Sequence, residues 1–296
     1  MKKYIFFLFI ILCQIYSFSI STIVSIAPEK FFLERIAGDK VDIEVLIRPG
    51  VDAHSFSPTP NQLIKISKAD IYFTIGLEFE KSLIGKIEKI NKKIEIVSLD
   101  KVCKKRMMED PFEMHDDNNS HHKHDDYGYD PHVWTSPSNV IKMASLITEV
   151  LSQRYPENKE YFYSRDLKFR NELQKTIKEI KEILSIKKEN RIFMIFHPSW
   201  GYFADEFELN QIPVEIEGKQ PKIRELRHII DLAKKKKINT LFVQPQYGSN
   251  APKIIADYIG ADLEEIYALE YDYINNLISF AKKIRESFEK DTKDNE

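Results

Sequence analysis

The chain has 296 residues, of which 43% are hydrophobic and 30% are charged. Its 44 basic and 46 acidic residues leave a formal net charge of −2, and this balance argues against a nucleic-acid-binding protein. Only two cysteines are present, so a fold held by several disulfides is excluded and stability has to come from a hydrophobic core.

Residues 1–19 are predicted to form an export signal. Two lysines precede an unbroken apolar run at 4–13, and small residues near position 19 suit a signal peptidase. The run is shorter than the roughly 20 apolar residues that a membrane-spanning helix needs, although an uncleaved anchor stays open as an alternative. Cys13 could carry a lipid, but the bulky Leu12 before it disfavours this. We therefore expect a soluble protein in the periplasm, in which cleavage leaves one thiol, Cys103.

Residues 20–155 are predicted to form an N-terminal α/β lobe, because strand-type and helical patterns alternate along them. The predicted strands are 22–26, 41–47, 71–75 and 94–97, and the predicted helices are 29–36, 60–69 and 137–153. Strands that alternate with helices indicate a mostly parallel sheet flanked by helices.

A loop at 101–130 without hydrophobic periodicity interrupts this lobe. It contains a cluster of histidines beside several aspartates: His115, His121, His122 and His124. Imidazole suits zinc, copper, iron and nickel, so this composition predicts a secondary loop that collects metal at low affinity. A disordered polar loop is the alternative interpretation.

The segment 156–188 is predicted to be the helix that links two halves of the chain. Positions 157–188 contain no glycine or proline, and apolar residues recur among glutamates and lysines at helical spacing. At about 1.5 Å per residue, this pattern predicts one rigid helix of roughly 45 Å. Two helices that meet at a bend are the alternative.

Residues 189–296 repeat the alternation and predict a C-terminal α/β lobe. The predicted strands are 191–196, 212–214, 240–243 and 263–268, and the predicted helices are 199–207, 221–237, 249–258 and 271–288. The fold class that follows is α/β: two lobes, each with a mostly parallel sheet flanked by helices, joined by one long rigid helix. Ligands of α/β folds usually bind in clefts of the kind expected between these lobes.

Three histidines lie at comparable places, after a predicted strand or before a predicted helix. His54 follows the strand at 41–47, His132 precedes the helix at 137–153, and His197 directly follows the strand at 191–196. Side chains from such positions can converge in an interlobe cleft, and three neutral imidazoles suit zinc. Taken singly, each histidine is weak evidence, and the structural interpretation is favoured over the ligand interpretation.

Four segments of the chain resemble the metal-binding solute-binding proteins of ABC importers, and the zinc-uptake, ZnuA-like branch in particular. These segments are AHSFSPTPNQLIKISKADIYFTIGLEFE, DPHVWTSPSN, IFHPSWGYFADEFEL and LFVQPQYGSNAPKIIADYIGA. The resemblance covers nearly all of the chain after the predicted signal. It implies two α/β lobes on a long helix with the metal between them, and His54, His132 and His197 match the family's three histidines.

The chain departs from the family pattern at three places. Ala53 stands immediately before the first histidine, where some zinc-branch proteins have a carboxylate. Gln244-Pro245-Gln246 stands where many members have Glu-Pro-Gln, and no carboxylate stands where the family has an aspartate, near Ala268. The fourth metal ligand is therefore open. Water, Glu270 or Asp272 could supply it, or both acids could simply face solvent at a helix start.

The resemblance implies a monomeric periplasmic carrier, not an enzyme, that captures Zn²⁺ and delivers it to the membrane permease of an ABC importer. The same role for Mn²⁺ is an alternative, but harder cations prefer oxygen ligands over three histidines. An adhesin on the same fold and a zinc-dependent hydrolase are alternatives from other classes. The hydrolase is disfavoured because no HExxH pair is present.

Overall fold

The computed structural model describes residues 19–48, 50–51, 53, 56–109, 128–185, 191–215, 221–245 and 250–293. Residues 1–18 of the predicted export signal lie outside this set, and so do five of the predicted metal-binding histidines: His54, His115, His121, His122 and His124. In the part of the chain that is described, no helix is both long enough and apolar enough to cross a membrane.

The N-terminal half is built on a four-stranded parallel sheet. Its strands are β1 (Ile20–Val24), β2 (Val41–Val45), β3 (Ile71–Thr74) and β4 (Glu95–Ser98), in the order β2-β1-β3-β4. The helices of this half are α1 (Ala27–Ala37), α2 (Pro60–Ile66), α3 (Glu78–Ile90) and α4 (Pro137–Arg154). Parallel strands need crossover connections, and these helices cover the sheet. We call this half the N-lobe.

A single long helix, α5 (Lys159–Ile183), follows the N-lobe. Its 25 residues span about 37 Å, at about 1.5 Å per residue. The prediction of one helix is confirmed, but the helix is shorter than 157–188, because Pro156–Asn158 forms a separate 3₁₀ turn. Helix α5 packs against α1, α4 and the last helix of the chain.

The C-terminal half repeats the architecture of the first, and we call it the C-lobe. Its strands are β5 (Ile192–Ile195), β6 (Asn210–Pro213), β7 (Thr240–Val243) and β8 (Asp262–Glu265), all parallel in the order β6-β5-β7-β8. Its helices are α6 (Gly201–Glu206), α7 (Ile223–Lys235), α8 (Ala251–Ile259) and α9 (Tyr273–Lys293). The two lobes with their long helix confirm the predicted fold class.

One hydrophobic core runs through both lobes. In α9, the Phe280 ring lies 4.1 Å from Trp200 and 5.6 Å from Phe193, measured between centroids. At the start of the same helix, Tyr273 meets Phe32 of α1 edge-to-face at 4.9 Å. A second, smaller cluster lies within the C-lobe alone. Helix α9 therefore ties the C-lobe sheet to the N-lobe.

The segment predicted as a structureless loop at 101–130 contains local structure at both described ends. Its first residues belong to a 3₁₀ turn at Leu99–Val102, and Met107 pairs with Tyr129 in an isolated antiparallel bridge. The amide of Asp130 also donates to the carbonyl of Arg106 at 3.0 Å. These bonds bring the two ends of the segment together beside α4.

Candidate metal site

His132 lies in the N-lobe, just before the turn that leads into α4. Its side chain is 7% exposed, and its Nδ1 lies 2.8 Å from Oδ1 of Asp130. The same carboxylate oxygen accepts the backbone N–H of His132 at 2.9 Å. Thr135 Oγ1 donates to the His132 carbonyl at 3.0 Å. The short Asp-Pro-His segment therefore fixes both the backbone and the ring.

His197 lies in the C-lobe, directly beyond the carboxyl end of β5. Its side chain is 3% exposed, and its Nδ1 lies 2.9 Å from Oε2 of Glu215. Glu215 reaches this position because strand-type pairing continues past β6, where its amide donates to the Phe196 carbonyl at 2.8 Å. Gln244 Nε2 donates to the His197 carbonyl at 3.1 Å and to Ser199 Oγ at 2.6 Å. Neighbouring parallel strands thus hold this imidazole.

The two histidines come from different lobes and meet in the cleft. Their ring centroids are 5.4 Å apart and the rings are nearly perpendicular. Two imidazoles on one tetrahedral zinc, with zinc–nitrogen bonds of about 2.0–2.1 Å, would place their centroids roughly 5 Å apart. A carboxylate on Nδ1 selects the tautomer in which Nε2 presents its lone pair to a metal. The spacing and the carboxylate partners both suit a shared metal ion.

The cavity beside this pair is lined by both lobes. His197 and Asp130 contribute to its wall, and so do Glu80 and Ala53. Ala53 immediately precedes His54, which lies outside the described residues. Within the described residues, no group of three or more His, Cys, Asp or Glu side chains has the arrangement of a metal site. The described part of the site therefore consists of two histidines and their carboxylate partners.

The floor of this cavity contains a buried acidic residue at the start of α3. Glu80 accepts the backbone N–H groups of Ile75, Gly76 and Leu77 at 3.0, 2.8 and 3.0 Å, and the Ser25 hydroxyl also donates to it. Burial nevertheless raises the pKa of Glu80 to about 7. Its carboxylate is thus held by the backbone and does not point freely into the cleft.

Asp130 is the ionised partner of the N-lobe histidine. Burial opposes its ionisation, but hydrogen bonding and charge interaction with His132, together with the charge of Arg106, lower the pKa of this carboxyl. The Arg106 guanidinium lies 2.8 Å from Asp130 Oδ2. Asp130 therefore accepts hydrogen bonds on both of its oxygens.

The two acids considered as a fourth ligand, Glu270 and Asp272, lie just before α9 and are exposed to solvent. Glu270 Oε1 accepts the amide of Tyr271 at 2.9 Å, and Asp272 Oδ2 accepts from Asn275 at 2.8 Å. These contacts support the interpretation in which both acids face solvent at a helix start.

Sequence reasoning did not identify Asp130, Glu215 or Arg106 as residues of the site. An aspartate two residues before a histidine, in Asp130-Pro131-His132, was a usable signal for the first. Glu215 could have been found by noting a carboxylate at the end of the strand next to β5. Arg106 has no comparable signal, because its contacts depend on how the two lobes are packed.

Comparison with known proteins places the chain in a family. Residues 23–287 match the sequence profile of the family described as zinc-uptake complex component A, periplasmic (ZnuA). The high-affinity zinc uptake system protein ZnuA of Bacillus subtilis is 26% identical over 82% of this chain and 76% of its own length. The zinc-binding protein AdcA of Streptococcus pyogenes is 25% identical, and the chain spans about half its length (50%).

Solved structures share the fold. A crystal structure of ZnuA superposes with a TM-score of 0.82 at 32% identity, covering 91% of this chain and 99% of that one. A cadmium-bound periplasmic metal-binding protein from Candidatus Liberibacter asiaticus gives a TM-score of 0.77 at 20% identity, over 90% of this chain and 99% of that one, and shows the fold alone. From the profile match and these likenesses, the chain belongs to the ZnuA family of zinc-uptake components.

Proposed function

We propose that this protein captures Zn²⁺ outside the cytoplasm with His54, His132 and His197 and delivers it to the membrane permease of an ABC importer. The observation that carries the proposal is the buried pair of His132 and His197, which come from different lobes and lie 5.4 Å apart between ring centroids. Each ring has a carboxylate within hydrogen-bonding distance of its Nδ1. Such carboxylates orient metal-binding imidazoles and increase their basicity.

His54 is proposed as the third ligand from its position in the chain. Its neighbour Ala53 lines the same cavity as His197, and this place in the sequence supports the proposal. Three imidazoles would leave one position of a tetrahedral zinc for water, and Glu270 and Asp272 are the weaker candidates because both are exposed. Ligand histidines have to be neutral, so zinc affinity should fall in mildly acidic solution.

Other parts of the proposal rest on the sequence and the relatives. We infer a monomeric periplasmic protein with a signal at 1–19, lobes at 20–155 and 189–296, and a linking segment at 156–188. The relatives are named for zinc uptake and zinc binding, which supports a carrier over a hydrolase. Mn²⁺ stays the alternative cargo, since a manganese-bound structure occurs among the structural neighbours. His115, His121, His122 and His124 are proposed to collect metal at lower affinity.

The test is a calorimetric titration of metal-stripped protein with Zn²⁺ and Mn²⁺. The matched variants are a His54→Ala, His132→Ala, His197→Ala triple and a variant in which only the four loop histidines are replaced by alanine. Tight one-site zinc binding should vanish in the triple variant and persist in the loop variant. A clear preference for Mn²⁺ would reassign the cargo. Zinc binding that survives in the triple variant and is lost in the loop variant would overturn the cleft site.

A further inference from the structure

The side chain of Arg106 joins three carboxylates from both lobes. Its Nη1 donates to Asp130 at 2.8 Å, its Nη2 to Glu109 at 2.7 Å and its Nε to Asp205 at 2.9 Å. The Arg106 side chain is 15% exposed. Burial alone would lower the pKa of Arg106, but the charges of Glu109, Asp130 and Asp205 raise it further above its usual value. Arg106 is thus permanently charged and largely buried, and it connects carboxylates of the two lobes.

Asp130 divides its carboxylate between Arg106 and His132. One oxygen, Oδ1, accepts from the backbone N–H of His132 and lies against its ring nitrogen, whereas Oδ2 accepts from Arg106. The Asp130 side chain is fully buried. Rotation of this carboxylate would break contacts on both oxygens at once, so Arg106 fixes the acceptor that orients the imidazole.

The C-lobe partner in this arrangement is α6, which begins four residues after His197. Asp205 on α6 accepts from Arg106, and the Tyr202 hydroxyl accepts the Arg106 amide at 3.2 Å and donates to the Asp130 carbonyl at 3.1 Å. Gly201, the first residue of α6, leaves room for the guanidinium. A Cβ on Gly201 would overlap Nη1 of Arg106 and would come within 2.7 Å of Asp130 Oδ2.

We propose that Arg106 is a positioning residue of the metal site, which holds His132 in register with His197 by tying Asp130 to helix α6. The path is continuous: His197 leads into α6, α6 contacts Arg106, Arg106 contacts Asp130, and Asp130 contacts His132. The consequence for metal affinity rests on the proposed zinc-binding function, whereas the consequence for the His132 ring does not. Arginine is required because lysine has no planar fork with which to contact three carboxylates.

The test compares Arg106→Met, Arg106→Lys and Gly201→Ala with two matched controls. Arg154→Met removes an arginine that also pairs with two carboxylates, Glu95 and Asp70, away from the cleft. Gly85→Ala adds a methyl group where, apart from its chain neighbours and the adjacent backbone of α3, no described atom lies within 4 Å. The first readout is the imidazole nitrogen spectrum of the metal-free protein, with His132 assigned by a His132→Gln variant. The second readout is zinc affinity by competition with a chelator.

Wild-type protein and both controls should show His132 as one tautomer with the proton on Nδ1. The three variants should show averaged tautomers or exchange broadening at His132, and a zinc affinity roughly 10- to 100-fold lower, as expected when a partner of a ligand is lost. Arg106→Lys and Gly201→Ala keep the charge balance, so they decide the question if Arg106→Met does not fold. An unchanged His132 spectrum in folded Arg106→Lys and Gly201→Ala would overturn the inference. Absence of zinc binding in the wild type would instead refute the proposed function, and the spectra would still decide the role of Arg106.

Discussion

The carboxylate of Glu215 faces Nδ1 of His197, and neutralising it tests how the site is built. The two atoms are 2.9 Å apart, and the side chains are 8% and 3% exposed. Glu215→Gln keeps the length of the side chain and an oxygen that can accept from Nδ1–H, but it removes the charge. Glu215→Ala removes the acceptor altogether.

The expected losses follow from the energies of these contacts. A hydrogen bond to a charged group contributes about 1.5–3 kcal/mol, and one between neutral groups about 0.5–1.5 kcal/mol. Glu215→Gln should therefore weaken the free energy of zinc binding by about 1 kcal/mol, because the His197 ring is less firmly oriented and less basic. This is roughly a fivefold loss of zinc affinity. Glu215→Ala leaves a buried Nδ1–H without this acceptor, so the loss should approach the ~100-fold limit seen for such partners.

Zinc affinity is measured by competition with a chromogenic chelator, beside thermal unfolding of the metal-free proteins. Glu149→Gln on the exposed face of α4 is the matched control and should bind zinc as the wild type does. The graded order wild type, Gln, Ala is the prediction. If folded Glu215→Ala bound zinc as tightly as the wild type, the reasoning that Glu215 supports a ligand would be refuted.

Three further predictions concern buried groups. Phe280→Ala should lower the free energy of unfolding by about 3–5 kcal/mol and Phe280→Leu by clearly less, because the ring packs on four other aromatic side chains. Denaturant unfolding measures both losses, and equally small losses would contradict tight packing around this ring. Burial raises the pKa of the Cys103 thiol to about 11, so an alkylating reagent at pH 8 should label it only after the protein unfolds. Peptide mass spectrometry detects the label, and rapid labelling of the native protein would contradict this prediction. Burial also raises the pKa of Glu80 to about 7, above the ordinary value of 4.5 in the unfolded chain. As pH rises, the unfolded chain therefore loses this proton before the folded protein does. The free energy of unfolding should fall as pH rises between these two values. Glu80→Gln should flatten that fall in a series of unfolding curves, and an unchanged slope would count against the burial effect.

The order of strands and helices could be predicted because each sheet is parallel and its strands are short apolar runs. The strand at 71–75 illustrates this, since all four residues of β3 are buried. Helix α3 was not predicted, although Phe79, Leu83 and Ile87 recur every four residues and are buried. Gly85 in its middle weakens the helical signal, because glycine is a poor helix former.

Strand β6 shows where local pattern reading falls short. The predicted strand began at 212, whereas β6 begins at Asn210. The pattern missed its first residues because Gln211 is polar yet buried. Gln211 accepts the Trp200 amide at 3.0 Å and donates to Glu109. A buried glutamine is stable only with such partners, and they come from segments that are distant in the sequence. Periodicity carries no information about them.

The same distinction separates the predicted part of the site from the rest. His132 and His197 could be selected because strand ends and helix starts meet in interlobe clefts, which is a rule of topology. The carboxylate partner of His197 depends on strand register instead, because Glu215 reaches it only where β5 and β6 are neighbours. Asp130 is close to His132 in the sequence, but its orientation also depends on distant contacts with Arg106 and with Tyr202 of α6.

The contacts between the lobes limit how the cleft can open. Trp134 Nε1 donates to the Ala268 carbonyl at 2.8 Å, and the Tyr273 hydroxyl donates to the Trp134 carbonyl at 2.7 Å; both bonds are buried and cross between lobes. A wide hinge rotation would break both bonds and the edge-to-face contact of Tyr273 with Phe32, at a cost of several kcal/mol. Metal exchange should therefore involve a small displacement near the histidines, without separation of the lobes. Small-angle scattering should give nearly equal radii of gyration for metal-free and zinc-loaded protein. A clear compaction on zinc binding would show that the lobes do separate, and that the shared core does not hold them together in solution.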